Sequence, residues 1–527
     1  MPNAQDRITG VKSTLLPTPR NFQKKGVGTE NKPLEKGPEH AYLAYKFTDE
    51  IFPLKDPEGH LITEVTEKAT FLFNGTSLIP TNADLGDIPT SLATPDCPPF
   101  PDITKHKVSS AIKKLPNKKA AGPDNTPNKL LKIARGAITP HLTIIFNTCL
   151  KTHHFPPQWK EALTAIIRKA GKGDYTDPNA YWPIALLNTL GKVFEKIINN
   201  RLTYWSKQTN TLHPGHLEEN QVKVLTTLSP CSPPGYTHNG RRIRLYWDYS
   251  LMSSRHILQC IERLVHSLRK KSCPTYLYLI INSFLTDRTT RLRIDKYISQ
   301  EFPIPNSLPQ GSPLSVTLYL LLPTRPPLDN DAISIAYIDN VTHLVAKPTA
   351  DQGMKSLEAT FQHSEDWRKQ HGAIFDPKKA KAIAFTKRKM NQPSIQLGNQ
   401  LLDFEKKVKW LGITLTPTLT PGEHLKNLKK CFNDTLAQLT RISRPTFRLN
   451  QKESRQLILA VLLTWILHGS ILWFTMKNKT GVNKLLDTWH HRATRLSMGM
   501  MRQTPIAFIK HFGNIPDFTN QHITTST

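Results

Sequence analysis

The chain has 527 residues, with 70 Lys and Arg against 41 Asp and Glu and a formal charge of +29 at pH 7. That length supports roughly two to four structural units around a sizeable core, and the charge favours a polyanionic partner, nucleic acid ahead of a membrane surface. The six cysteines (Cys97, Cys149, Cys231, Cys260, Cys273, Cys431) are scattered, without Cys-x-x-Cys pairs or a His at zinc spacing, which argues against a disulfide scaffold or a zinc module. The N-terminus lacks a secretory apolar stretch, so an intracellular protein is expected, nucleus and cytoplasm undistinguished.

Residues 1–46 are Pro-, Gly- and Lys-rich without apolar periodicity and read as a flexible basic lead-in. Residues 47–101 read as an N-terminal extension, with a short strand and helix over Phe47–Phe73 and a linker over Asn74–Pro101. Val108, Ala111, Ile112 and Leu115 recur at helical steps and stop at Pro116; further helices are expected at Lys129–Arg135 and His141–Leu150. Lys105, Lys107, Lys113, Lys114, Lys118 and Lys119 crowd this segment with almost no acids between them. A lysine-studded face is usually just solvated, but this density tips the reading toward phosphate contact.

Ala165–Lys169 reads as a strand running into Ala170-Gly171-Lys172-Gly173-Asp174. Glycine there allows close backbone approach and lysine supplies charge, as a phosphate-gripping hairpin needs, although any exposed hairpin looks similar. Leu190–Leu202 is an amphipathic helix, with Val193, Phe194, Ile197, Ile198 and Leu202 on one stripe. Leu225–Arg244 is Pro/Ser/Gly-rich and patternless, and a helix follows through Arg263–Lys271 before Pro274. Strand-like Thr290–Tyr297 leads to the loop Ile304–Ser315 and the apolar segment Val316–Leu322.

Next, the alternating run from Ile333 ends in a turn carrying Asp339. A turn presenting Asp at a basic cleft can hold Mg²⁺, because hard cations take oxygen ligands; alone, Tyr337-Ile338-Asp339-Asn340 reads equally as an ordinary hairpin. Leu357–Trp367 is helical, and Ile383–Phe385 reads as an edge strand after a basic turn. Leu457–Met476 has about membrane-spanning length. His468, Gly469, Ser470 and two tryptophans interrupt it, which suits a buried helix pair better.

Several of these stretches share a pattern. Leu308-Pro309-Gln310-Gly311-Ser312-Pro313-Leu314-Ser315 resembles the template- and nucleotide-contacting loop of reverse transcriptases from non-LTR, LINE/jockey-like retrotransposons. Ala336-Tyr337-Ile338-Asp339-Asn340 resembles their metal-binding turn, usually Tyr-x-Asp-Asp. Phe155-Pro156-Pro157-Gln158-Trp159-Lys160, Lys169-Ala170-Gly171-Lys172, Tyr181-Trp182-Pro183-Ile184-Ala185-Leu186-Leu187 and Gly191-Lys192-Val193-Phe194-Glu195-Lys196 continue it. So do Phe375–Lys381, Val408-Lys409-Trp410-Leu411-Gly412-Ile413 and His468–Trp473, so that the likeness covers roughly residues 50–516. Neither a preceding endonuclease nor a following ribonuclease H or Cys/His knuckle is expected.

The resemblance implies an α+β right-hand polymerase, with fingers over 102–224, a divergent segment over 225–261, a palm with a mostly antiparallel sheet over 262–415 and a helical thumb or connection over 416–527. It implies RNA-templated DNA synthesis from a primer 3′-OH, with Mg²⁺ as cofactor and an RNA template, a DNA primer and deoxynucleoside triphosphates as partners; no membrane is expected. Asp339 is carried over as the catalytic metal ligand, and Lys169, Gln310, Gly311, Tyr337 and Lys379 as nucleotide-binding residues.

Departures fall on chemistry positions. Asn340 replaces the second carboxylate of the turn, Trp182 stands where an Arg belongs, and Ser307 replaces a Gly. The family's first carboxylate motif, Asp-x-x-x-Ala-(Phe/Tyr)-Asp, is missing; Asp248 lies near its place but lacks the residues that should follow, and reads as coincidence. Shifted by one base, codons for Leu251–Ile257 can spell Asp-Val-x-Lys-Ala-Tyr, so residues 225–261 are read as frame-shifted. Impaired polymerisation is therefore expected. The alternative is a catalytically dead nucleic-acid-binding relic, and a third, weaker reading is a protein anchored by residues 457–476.

Overall fold

The computed structural model describes residues 51–76, 83–88, 96–117, 119–169, 172–211, 243–250, 261–304, 308–309, 311–321, 332–337, 340–371, 380–386, 394–398, 400–442, 449–468, 479–513 and 515. The basic lead-in, Lys118, most of the divergent segment, Ser307, Gln310, Ile338, Asp339, Lys379 and residues 469–478 lie outside them. From Ile51 onward the chain clusters as a single unit.

Two four-stranded sheets organise this mixed helix-and-sheet unit. The first has the order β4-β3-β6-β7, with β3 at Glu161–Arg168, β4 at Tyr181–Leu187, β6 at Arg288–Ile294 and β7 at Tyr297–Ile304. Its one parallel pair is β3 with β6; Thr164 and Thr290 bridge it by a hydroxyl hydrogen bond of 2.8 Å. A hairpin, β1 (Leu54–Lys55) and β2 (Leu61–Ile62), and helix α1 (Val65–Thr76) come before this sheet in the chain. Leu54 and Leu72 join its outer core with Tyr181, Leu292 and Phe302.

The main core lies among α2 (Lys105–Lys113), α3 (Asn128–Ile133), α4 (Arg135–Lys151), α5 (Thr189–Gln208), α6 (Ile261–Lys270), α7 (Thr275–Leu285) and α8 (Pro313–Leu321). At its centre Phe194 stacks on Phe146 with ring centroids 4.9 Å apart, and Phe155 meets Phe284 edge-on at 5.1 Å. Each such ring removed from water contributes about 1.5–3 kcal/mol. The predicted stripe explains α5: Val193, Phe194, Ile197, Ile198 and Leu202 are all buried, and the Asn188 side chain caps it by accepting from the Leu190 and Gly191 amides.

The second sheet has the order β10-β5-β9-β8 and is wholly antiparallel, with β5 at Ile243–Ser250, β8 at Ala332–Tyr337, β9 at Asn340–Lys347 and β10 at Lys381–Phe385. Helix α9 (Ala350–His371) covers one face, where Val341, Val345, Ala382 and Ala384 meet Leu357 and Trp367. Below the other face sits the hairpin β13 (Val408–Trp410) and β14 (Ile413–Leu415), packed on Ile335, Leu344, Ile383 and Phe385. Between β10 and β13 in the chain lies another hairpin, β11 (Ser394–Leu397) with β12 (Gln400–Asp403). Trp410 Nε1 donates to Thr342 Oγ1 at 2.9 Å and locks the β13–β14 hairpin to the sheet.

The C-terminal part is helical. Helix α10 (Gly422–Ile442), the run α11 (Gln451–Leu457) continued by a π turn to Leu467, α12 (Lys479–Met498) and α13 (Ile506–Gly513) follow one another. Leu428, Phe432, Ile458, Leu462, Ile466 and Trp489 form their core. Among the described residues no helix is long and apolar enough to cross a membrane; Ile458, Leu462 and Ile466 are buried against other helices instead.

Local rules set some boundaries differently from expectation. The fourth helix begins at Arg135, six residues before His141, and the apolar segment after Ser312 is a helix from Pro313. Part of the predicted linker is held: Asp87 ion-pairs with buried Arg263 of α6 at 2.6 Å, and the Asp84 amide donates to the Lys369 carbonyl of α9. The guanidinium beside Asp87 holds its carboxyl down at about 2.

Candidate functional site

The β8–β9 hairpin forms where the alternating run predicted it. Tyr337 pairs with Asn340, so Ile338 and Asp339 are the two residues between the paired strand ends. Strand β5 lies between β9 and β10, and its last residue, Ser250, pairs with Asn340. Asp248 pairs with Thr342 on one side and Lys381 on the other. The sequence reading treated Asp248 as a coincidence; its strand is central, but Asp248 sits two residues, about 7 Å, short of the strand end that reaches the turn. Lys381 in turn ion-pairs with Glu405 at 3.5 Å.

The Pro/Gly loop is built against the other sheet. Leu308 is buried. Gly311 has φ +101°, and a Cβ there would stand 3.0 Å from the Ala185 carbonyl oxygen of β4. Conformation and space both call for glycine at this position. The Ser312 amide donates to the Pro309 carbonyl at 3.1 Å, closing the turn. The Ser312 hydroxyl accepts from the amides of Leu314 and Ser315 at 3.1 and 3.2 Å, capping α8. It also donates to Glu195 Oε2 of α5 at 2.5 Å.

Glu195 is fully buried, a carboxylate on the apolar face of a helix. Burial pushes its carboxyl up, while the Ser312 hydroxyl, Arg288 and Lys192 act to lower it. Arg288 of β6 is equally buried; its Nη1 donates to the Phe284 carbonyl at 3.0 Å. Burial draws the Arg288 guanidinium down to about 10, and Glu195 opposes that. Sequence reasoning named the motif around Glu195 but gave this residue no role. The available signal was an acid in the stripe Gly191, Glu195, Ile198, Leu202.

Lys169 follows the last residue of β3 and lies 5.9 Å over the Trp182 ring of β4. Its Nζ donates to the Asn179 carbonyl at 2.9 Å, and Trp182 is 48% exposed. Gly311 abuts the same sheet at Ala185, which pairs with Thr164. Lys169 is five residues further along, about 16 Å. Of the predicted nucleotide-binding set, the structure thus brings Lys169 and Gly311 onto one sheet, and Tyr337 onto the edge strand of the other. On α2 and its C-cap, Lys105, Lys107, Lys113 and Lys114 are exposed, with Thr104 capping the helix by accepting from the Lys107 amide.

The reverse transcriptase (RNA-dependent DNA polymerase) family model matches residues 255–415. An RNA-directed DNA polymerase from mobile element jockey of Drosophila melanogaster is 26% identical over 403 residues, 73% of this chain and 43% of the relative. A probable RNA-directed DNA polymerase from transposon BS of the same species is 27% identical over 416 residues, 72% and 44%. One from transposon X-element is 25% identical over 342 residues, 61% and 36%. The chain therefore spans less than half the length of these curated relatives. Polymerases of this family generally use divalent metal ions, a nucleic-acid template and primer, and nucleotide substrates. The matched stretch contains both the Leu308–Ser315 loop and the β8–β9 hairpin, and the family model and these relatives together support a LINE/jockey-like, non-LTR retrotransposon reverse transcriptase.

Proposed function

We propose that this chain is the polymerase segment of such an element, adding deoxynucleotides to a primer 3′-OH on an RNA template, and that as written it polymerises weakly. Fingers, palm and thumb would correspond to the β3–β4 region, the β10-β5-β9-β8 sheet and the C-terminal helices. The register of Ser250 against Asn340 carries this reading. It supports a palm-type arrangement, in which a central strand delivers one carboxylate beside a hairpin delivering others.

A two-metal mechanism, with Mg²⁺ the expected ion, needs carboxylates from both strands. Here the strand end offers Ser250 and the turn offers Asp339 beside a neutral Asn340, while Asp248 is one pleat away. This donor set fits two dications poorly. A one-base shift would restore an Asp across the codons of Leu251 and Met252, just past the strand end at Ser250. Trp182 adds to the weak-polymerase reading: an indole lacks the charge and fork of donors that a guanidinium offers a triphosphate.

The deciding experiment is primer extension by the full chain on an RNA template with Mg²⁺, together with sequencing of the transcript across codons 220–265. Weak or absent synthesis with the frame confirmed is expected, and robust Mg²⁺-dependent synthesis would overturn the impairment. The relic reading is favoured by the exposed lysines of α2 and the +29 charge; it requires salt-dependent nucleic-acid binding with no incorporation at all.

A further inference from the structure

We propose that Glu195 is a positioning residue, which holds the Pro309–Ser312 turn in place and thereby shapes the nucleotide-contacting edge of the site. The inference rests on the polymerase reading above for the word nucleotide, and on geometry alone for the rest.

A carboxylate buried on an apolar helix face is expensive unless something specific uses it. At Glu195 the user is the Ser312 hydroxyl. A serine hydroxyl has one proton and two lone pairs. Both acceptor sites are engaged by the Leu314 and Ser315 amides, so the proton is directed to Glu195 Oε2. An acceptor is therefore required at residue 195, and an apolar side chain of the same size would strand that proton.

Two consecutive residues of the turn are gripped. Gly311 is seated on the Ala185 carbonyl of β4, and Ser312 is tied to α5. These two contacts come from consecutive pieces of chain, since β4 ends at Leu187 and α5 starts at Thr189. The turn thus moves with the β4–α5 corner as one body. Gln310, the residue expected to meet the nucleotide, immediately precedes these two residues in the chain.

Arg288 completes the arrangement. It supplies a buried opposite charge near Glu195, and among the described residues its Nε and Nη2, like Glu195 Oε1, have no hydrogen-bond partner. Among the described residues only one oxygen of the carboxylate is therefore hydrogen-bonded, and that one goes to the loop. A glutamate kept simply to neutralise Arg288 would place its hydrogen bonds on the guanidinium. This one places its bond on Ser312.

The test uses the full chain and three variants: E195L, which removes the acceptor, E195Q, which keeps one, and S312A, which removes the proton. Two readouts are taken, hydrogen exchange over residues 308–315 and equilibrium binding of a labelled deoxynucleoside triphosphate in the presence of an RNA–DNA primer–template. E195L and S312A are expected to speed exchange over 308–315 at least about tenfold and to weaken nucleotide binding about five- to tenfold, with E195Q within about twofold of the unsubstituted chain. Unchanged exchange and binding in S312A overturns the proposal, even where E195L fails to fold. If E195Q is as damaging as E195L, charge pairing with Arg288 rather than the hydrogen bond is what matters, and the proposal falls. Should the unsubstituted chain bind no nucleotide, the polymerase reading fails, and exchange in E195L against E195Q, both of which keep the Ser312 cap, still decides whether Glu195 holds the turn.

Discussion

Ser250, the last residue of β5, stands directly opposite Asn340, the first residue of β9. Neither carries charge, and they flank the turn that contains Asp339. Where a polymerase needs negative charge from two strands, this pairing offers two neutral side chains. Restoring the charges tests the reading directly: S250D combined with N340D should raise Mg²⁺-dependent primer extension by at least about tenfold, because several kcal/mol of charge stabilisation is at stake. W182R added to that pair should lower the KM for the nucleotide further. No gain from any combination would place the defect elsewhere.

Gly122 makes a sharper stability prediction. A Cβ at Gly122 would stand 2.7 Å from the Asn188 amide nitrogen and closer still to the Leu187 carbonyl, all backbone atoms that cannot swing aside. Asn188 is the cap of α5, so the clash would spread into that helix. G122A should cost about 2–4 kcal/mol in urea unfolding. Gly136, in the first turn of α4, has nothing within 4 Å of a built Cβ, and G136A should be neutral or slightly stabilising.

Stability should also fall on acidification. His424 of α10 is 3% exposed, and its Nδ1 accepts from the Thr414 amide of β14 at 3.3 Å. Burial first, with His468 and Lys409 adding, holds its imidazole down at about 4. The unfolded chain takes up this proton near its ordinary value of 6.5, before the folded one does. The contribution is therefore complete above about 6.5 and is lost as pH falls toward about 4, on the order of 3 kcal/mol. His371 is depressed in the same sense and adds to the slope. Urea midpoints across this range should drop, and H424Q should flatten the drop by roughly half.

Nucleic-acid affinity should depend steeply on salt. If the exposed lysines of α2 and its C-cap meet phosphate, replacing Lys105, Lys107, Lys113 and Lys114 by Ala should weaken binding evenly across sequences. The slope of log K against log salt should shrink by about 0.7–0.9 for each lost contact. An unchanged slope would mark them as a solvated face.

Local periodicity was enough for much of this protein. The stripe of α5, the alternation of β8 and the Pro/Gly turn before α8 are short-range patterns, set by 3.6-residue and 2-residue repeats and by backbone sterics. The mixed helix-and-sheet character followed from them; the family likeness, with the departures at Trp182 and Asn340, came instead from matching motifs such as Leu308–Ser315 and Ala336–Asn340. Asp339, Gln310 and Lys379 remain assignments from sequence, since they lie outside the described residues.

Pairing across long separations was decided only by the tertiary structure. Glu195 and Ser312 are 117 residues apart, and the Thr164–Thr290 bridge of the parallel pair spans 126. No repeat in the chain encodes which strands meet or in what register; that follows from burying all the apolar faces at once. Register is what set Ser250, rather than Asp248, beside the turn. Burial is what turned an ordinary-looking Glu in a helix into the acceptor for a loop serine.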